Sequence, residues 1–129
     1  MFRVQAVSHA SAASRWRLVA EPAHWSEWAP HIRGAVGLGS PEVELGRRGV
    51  ALIAWVAPVP VHITAKDPGR SWEWTTGPVR VRHIVEPLGT GCIVRMELEA
   101  PAPIEALLAA AYGPLIKLVV RRLMQVAMD

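Results

Sequence analysis

The chain opens on an alternating stretch. Phe2, Val4 and Ala6 share one side of the segment Phe2–Ser8, which predicts a strand. Ser11 follows as a helix N-cap, its hydroxyl able to accept from the free amides of the first turn. The helix after it carries Trp16, Val19 and Ala20 on its apolar side. Pro22 suits the first turn of a second short helix, Pro22 to about Trp25, and Pro30 forbids its extension. Neither helix is long enough to stand alone, so both must lean on something.

From Ile32 the period changes to that of strands. Residues Ile32 to Leu38 read as a strand and Gly39-Ser40-Pro41-Glu42 as a loop. Gly49 to Ala57 is a nearly continuous apolar run, as in a strand covered on much of both faces. Pro58 and Pro60 are expected to break the ladder, or to mark an edge. Val59, Val61, Ile63 and Ala65 then share a face. So do Trp72 and Trp74, then Val79, Val81, His83 and Val85, and finally Cys92, Val94, Met96 and Leu98. Turn chemistry separates these runs at Asp67-Pro68-Gly69-Arg70, Gly77-Pro78 and Gly89-Thr90-Gly91. Strands joined this closely form an antiparallel meander, because parallel crossovers need far longer connections. One face of the last four is apolar and the other mostly charged, so the sheet has a single buried side. Its cover is the segment from Pro103 to about Ala127, where Ile104, Leu107, Leu108, Ala111, Leu115, Leu118 and Val119 recur at helical spacing. Gly113-Pro114 is expected to kink that helix. The expected fold is α+β: a seven-stranded antiparallel sheet around a long C-terminal helix, with two short helices between strands 1 and 2. Residues 1–129 form one domain, without linker or repeat.

Composition narrows the function classes. Hydrophobic residues make up 51% and charged residues 19% of the 129, which fits an ordered domain with a real core. The net charge of +3 is carried by arginine pairs dispersed over separate segments, so no nucleic-acid partner is expected. Cys92 is the single cysteine, which excludes an internal disulfide and the usual thiolate zinc sites. The N-terminus lacks a secretory pattern, so the expected location is cytoplasmic. The stretch Ile104–Val120 is interrupted by Glu105, Lys117 and Gly113-Pro114, and no integral membrane segment is expected. Gly37-Leu38-Gly39 lacks the later glycine and the strand-to-helix setting of a dinucleotide loop, and the five histidines show no paired metal spacing. No cofactor and no metal are expected. The sequence sets no oligomeric state.

Four blocks carry a family resemblance: Ala13-Ser14-Arg15-Trp16; Pro22-Ala23-His24-Trp25-Ser26-Glu27-Trp28-Ala29-Pro30; Lys66 through Trp74; and Val81 through Gly91. In this order, with the closing helix, the chain resembles the START-like superfamily, also called helix-grip or SRPBCC, and most closely its bacterial polyketide cyclase/dehydrase branch. The resemblance covers essentially the whole chain. It implies a cavity between sheet and C-terminal helix, in a superfamily of lipid and sterol carriers, hormone binders and aromatase/cyclases. The single Tyr and single Phe depart from an aromatase/cyclase pocket.

Given such a cavity, the inward phase supplies candidate ligand contacts. On the sheet these are Trp55, Val61, Ile63, Trp72, Trp74, Val81, His83, Val94 and Met96; on the helix they are Leu108, Ala111, Tyr112, Leu115 and Val119. Trp16, Trp25 and Trp28 are read as anchors of the small helices. The expected function is binding of a small hydrophobic molecule, lipid or polyketide-like. The alternative is a cyclase or dehydrase in which His83, with Tyr112, moves protons. A third reading makes the Ile104–Val120 helix an interaction surface.

Overall fold

The computed structural model describes residues 2–29, 32–53 and 58–125, and the side chains of all of these except residues 53, 108, 109, 111–116, 119, 120, 124 and 125. The strands are β1 (Phe2–Ser8), β2 (Ile32–Val36), β3 (Arg48–Ile53), β4 (Val59–Asp67), β5 (Ser71–Thr76), β6 (Val79–Leu88) and β7 (Gly91–Glu99). They form one antiparallel sheet in the order β1-β7-β6-β5-β4-β3-β2. The meander therefore runs from β2 to β7, and the first strand closes against the last. Between β1 and β2 lie α1 (Ala12–Ala20), a 3-10 turn (Pro22–His24) and α2 (Trp25–Trp28); α3 (Ala102–Gln125) ends the described chain. No described helix is long and apolar enough to cross a membrane.

The alternation read from the sequence becomes rows of side chains across the sheet. Phe2, Leu98, Val81 and Trp74 are successive cross-strand partners on β1, β7, β6 and β5. Val4, Met96, His83 and Trp72 form the next row, and Ala6, Val94 and Val85 the one after. This face carries the core: Val85, Val94 and Ile63 are fully buried and Trp72 nearly so. On the opposite face Glu73, Arg82, Glu97 and Arg3 make a row of alternating charge across the same strands. Arg3 Nε lies 2.9 Å from Glu97 Oε2 and Arg82 Nη2 lies 3.6 Å from Glu73 Oε2. In both pairs the arginine is about half exposed and the glutamate largely covered, so the guanidinium screens the carboxylate from the solvent side.

Several local expectations change. The second helix does not stop near Trp25; a 3-10 turn hands over to α2, which runs to Trp28. Strand β2 ends at Val36 rather than Leu38, and Leu38 is buried in the connection that follows. Of the apolar run Gly49–Ala57, strand covers residues up to Ile53, and 54–57 lie outside the described residues. Pro60 does not break β4. It pairs with Val50 of β3, while the β5 ladder ends at His62–Thr75, so proline occupies a stretch where one side of the strand is unpaired. The shared face of β4 also stops short. A register shift between Ile63 and Ala65 leaves Val61 and Ile63 buried and Ala65 half-buried. Helix α3 starts at Ala102 and continues through Gly113-Pro114. It packs against β1, β7, α1 and α2.

Candidate functional site

The site begins with the end of α1. A helix leaves its last four carbonyls without internal partners, and here each one is met. Glu21 N donates to Arg17 O at 3.0 Å, and Val43 N to Ala20 O at 3.0 Å. The two between them are taken by indoles: Trp28 Nε1 donates to Leu18 O at 2.8 Å and Trp25 Nε1 to Val19 O at 2.8 Å. Satisfying these carbonyls turns α2 back over the sheet and fixes both indole planes. At the other end of α1, Ser14 N donates to the Ser11 hydroxyl at 3.2 Å, the expected cap.

Trp25 then meets the sheet. Its ring stacks on Trp72, centroids 5.5 Å apart and 9° from parallel, and stands edge-on to Trp74 at 5.5 Å. Trp72 also stacks on its cross-strand partner His83 at 3.9 Å and 8°. Trp74 meets His83 edge-on at 5.7 Å. Four rings from α2, β5 and β6 thus interlock in offset-stacked and edge-to-face geometries, the arrangements that aromatic quadrupoles favour.

Beside this cluster is a pocket of about 150 Å³. The sheet supplies Phe2, Trp74, Val81, His83, Met96 and Leu98, with Ile32 at the start of β2; the wall above comes from Trp28 and Ala29. Glu97 also borders it, with its carboxylate held by Arg3. The surface is overwhelmingly apolar, and the polar group within it is His83. That residue is buried, and its Nδ1 has no hydrogen-bond partner among the described residues. Burial pushes the imidazole down to about 3, against a backbone hydrogen bond with Trp72 that favours the protonated form. At neutral pH the ring is uncharged, with one nitrogen carrying a proton and the other a lone pair. Cys92 is no rival nucleophile: burial pushes its thiol up, and the nearby charge of Arg15 offsets that only in part.

The candidates read from sequence divide three ways. Trp74, Val81, His83 and Met96 come together in the pocket wall. Val61, Ile63, Trp72 and Val94 are buried in the surrounding core. Trp55 lies outside the described residues, as do the side chains of Leu108, Ala111, Tyr112, Leu115 and Val119 on α3. Sequence reasoning missed Phe2, Trp28, Ala29, Ile32 and Leu98. The signal for Phe2 and Leu98 was present, since both are in phase with Val4 and Met96. Trp28 ends, and Ala29 caps, a four-residue helix with too few turns to show a period.

Solved structures share the fold of this chain. A protein of Mesorhizobium loti, MLL2253, superposes with a TM-score of 0.78 at 17% identity, covering 96% of this chain and 93% of that one. CalU16 of Micromonospora echinospora gives 0.67 at 12% identity, covering 94% and 74%. DynU16, from the dynemicin biosynthetic locus, gives 0.72 at 15% identity, with 95% of this chain matched to 45% of that one. At these identities the likeness is one of fold. No curated protein matches the sequence. The family model described as polyketide cyclase / dehydrase and lipid transport matches residues 1–129, and the chain belongs to that family.

Proposed function

We propose that this protein binds an apolar or aromatic small molecule in the space between the inner face of the sheet and α3. The observation that carries the reading is the pocket itself: about 150 Å³, walled by aromatic and aliphatic side chains around one neutral imidazole. An apolar cavity of that size is enough for a benzene-sized guest. Helix α3 packs on β1, β7 and α2, three of the elements that supply the wall, which supports a helix-grip closure of the same space. A ring burying roughly 150 Å² of apolar surface gains about 4 kcal/mol, which corresponds to millimolar affinity for the smallest guests.

A proton-shuttling role for His83 is a poorer fit. General acid–base work at neutral pH is most effective with a pKa near 7, and burial holds this imidazole at about 3. The reading therefore gives His83 an orienting part. The test is Val81→Trp, which places an indole in the pocket where its wall meets Trp74 and Leu98. Toluene binding, followed through the indole resonances in two-dimensional NMR, is expected to weaken at least tenfold while the spectrum stays that of a folded protein. Equal toluene affinity in a folded Val81→Trp protein would place the binding site elsewhere.

A further inference from the structure

Helix α3 turns an apolar side toward water. Leu123, near its end, is fully buried and fixes the inward direction. At about 100° per residue, Leu107, Ala110, Lys117, Leu118 and Arg121 fall within roughly 100° of one another on the opposite side. All of them are exposed, Leu107 at 69% and Leu118 at 57%. A helix on a protein surface normally presents polar residues outward, and apolar side chains scattered singly are ordinary. Here they are continuous. Over the first turns of α3 every described exposed side chain is apolar, Pro103, Ile104, Ala106, Leu107 and Ala110 among them. Charge is placed as unevenly. The one acid of the helix, Glu105, is in phase with the buried Leu123, and the cations Lys117, Arg121 and Arg122 all follow in the second half. Arg122 Nε donates to Glu27 O at 3.0 Å and is tied to α2. The helix dipole favours cations in the last turn, which accounts for Arg121, but Lys117 lies about two turns before the end.

A cover for this side must accept aliphatic side chains and supply negative charge. A second copy of the chain supplies only the first. Laid parallel, it sets Lys117 and Arg121 against their own counterparts; laid antiparallel, it sets them against Ile104 and Leu107, with no acid of α3 on this side to meet them. A phospholipid surface supplies both, acyl chains for the leucines and phosphates for the cations. We propose that α3 lies along the surface of an anionic phospholipid bilayer, with Leu107 and Leu118 sunk to the acyl boundary and Lys117 and Arg121 among the headgroup phosphates. Nothing in this contact depends on the pocket or its guest.

The experiment is flotation of the whole chain with vesicles of phosphatidylcholine alone and with vesicles of equal parts phosphatidylcholine and phosphatidylglycerol. Each Lys or Arg near an anionic surface strengthens attachment about fivefold, so the mixed vesicles should bind about twentyfold more tightly than the neutral ones. Added salt should erode that difference. Lys117→Gln combined with Arg121→Gln should remove it, again about twentyfold. Leu107→Gln combined with Leu118→Gln should weaken binding to the mixed vesicles by roughly tenfold or more. All four positions are exposed, so both variants should keep the wild-type circular dichroism. Val81→Trp should float as the wild type does, which separates this contact from the pocket. Wild-type protein left unbound by the anionic vesicles, or bound as well after the leucines are changed, overturns the proposal. So does a dimer, seen by analytical ultracentrifugation, that the leucine changes dissociate, since a second copy would then be the cover.

Discussion

Replacing His83 by phenylalanine should flatten the dependence of stability on acid. In the folded protein the imidazole stays neutral down to about pH 3, because protonating it would bury a charge against Trp72, Trp74 and Met96. In the unfolded chain the same ring takes up a proton near pH 6.5. Between those values the unfolded state binds the extra proton, so stability is complete above pH 6.5 and drains away as the pH falls toward 3. Across the two units from pH 6.5 to 4.5 this one residue costs about 3 kcal/mol, a large part of the stability of an ordinary small domain. Urea unfolding followed by tryptophan fluorescence at pH 7, 5.5 and 4.5 measures it. The carboxylates are common to both proteins and cancel in the difference, so the wild-type curve should fall by about 3 kcal/mol more than that of His83→Phe. Parallel curves would refute the argument. So would a wild-type His83 ring resonance that titrates near pH 6, since a ring protonated there cannot be sealed in an apolar wall.

Other substitutions probe the frame that holds the pocket. Arg15 is buried, and its Nη1 donates to Leu123 O at 2.6 Å, in the last turn of α3 where the helix dipole is negative. Arg15→Met should cost on the order of 1–3 kcal/mol and speed amide exchange in that turn; unchanged exchange there would deny the clamp. A Cβ on Gly91 would clash with the backbone oxygen of Ser8, at the end of β1 beside the start of β7, so Gly91→Ala must displace backbone. It should destabilise by about 1–3 kcal/mol, measurable by thermal melting, and a neutral result would mean the strands are not so tightly joined. Ser11→Ala removes the cap of α1 and should cost about 1 kcal/mol in the same assay.

The strands were legible because a half-buried sheet imposes a two-residue period on sequence, and β5 to β7 follow it almost without exception. Where that period failed, the cause was local. Pro60 looked like a breaker because a sequence does not show that the neighbouring strand has already ended at Thr76. Ala65 lost its place through a one-residue slip after Ile63. The pocket was harder to see than the fold. Alternation puts Trp72 and Trp74 on one face, yet Trp74 lines the pocket while Trp72 is sealed in the core, a split set by where Trp25 docks. The docking of Trp25 and Trp28 depends on carbonyls six and ten residues earlier in the chain, and no periodicity records that pairing. His83 was visible as an inward polar residue; its depth of burial, which decides its protonation, was not.

The indole of Trp28 has two duties that cannot be separated, ending one helix and walling one side of the pocket. A smaller residue there would enlarge the chamber but strand the Leu18 carbonyl, so this side of the chamber is poorly suited to change. Phe2, Met96 and Leu98 have no such second task in the backbone, and their side chains can be exchanged for others of different bulk without unpicking a helix end. Re-tailoring this protein toward a larger or smaller guest, whether by selection or by design, therefore has its open route through the floor of the chamber rather than its roof.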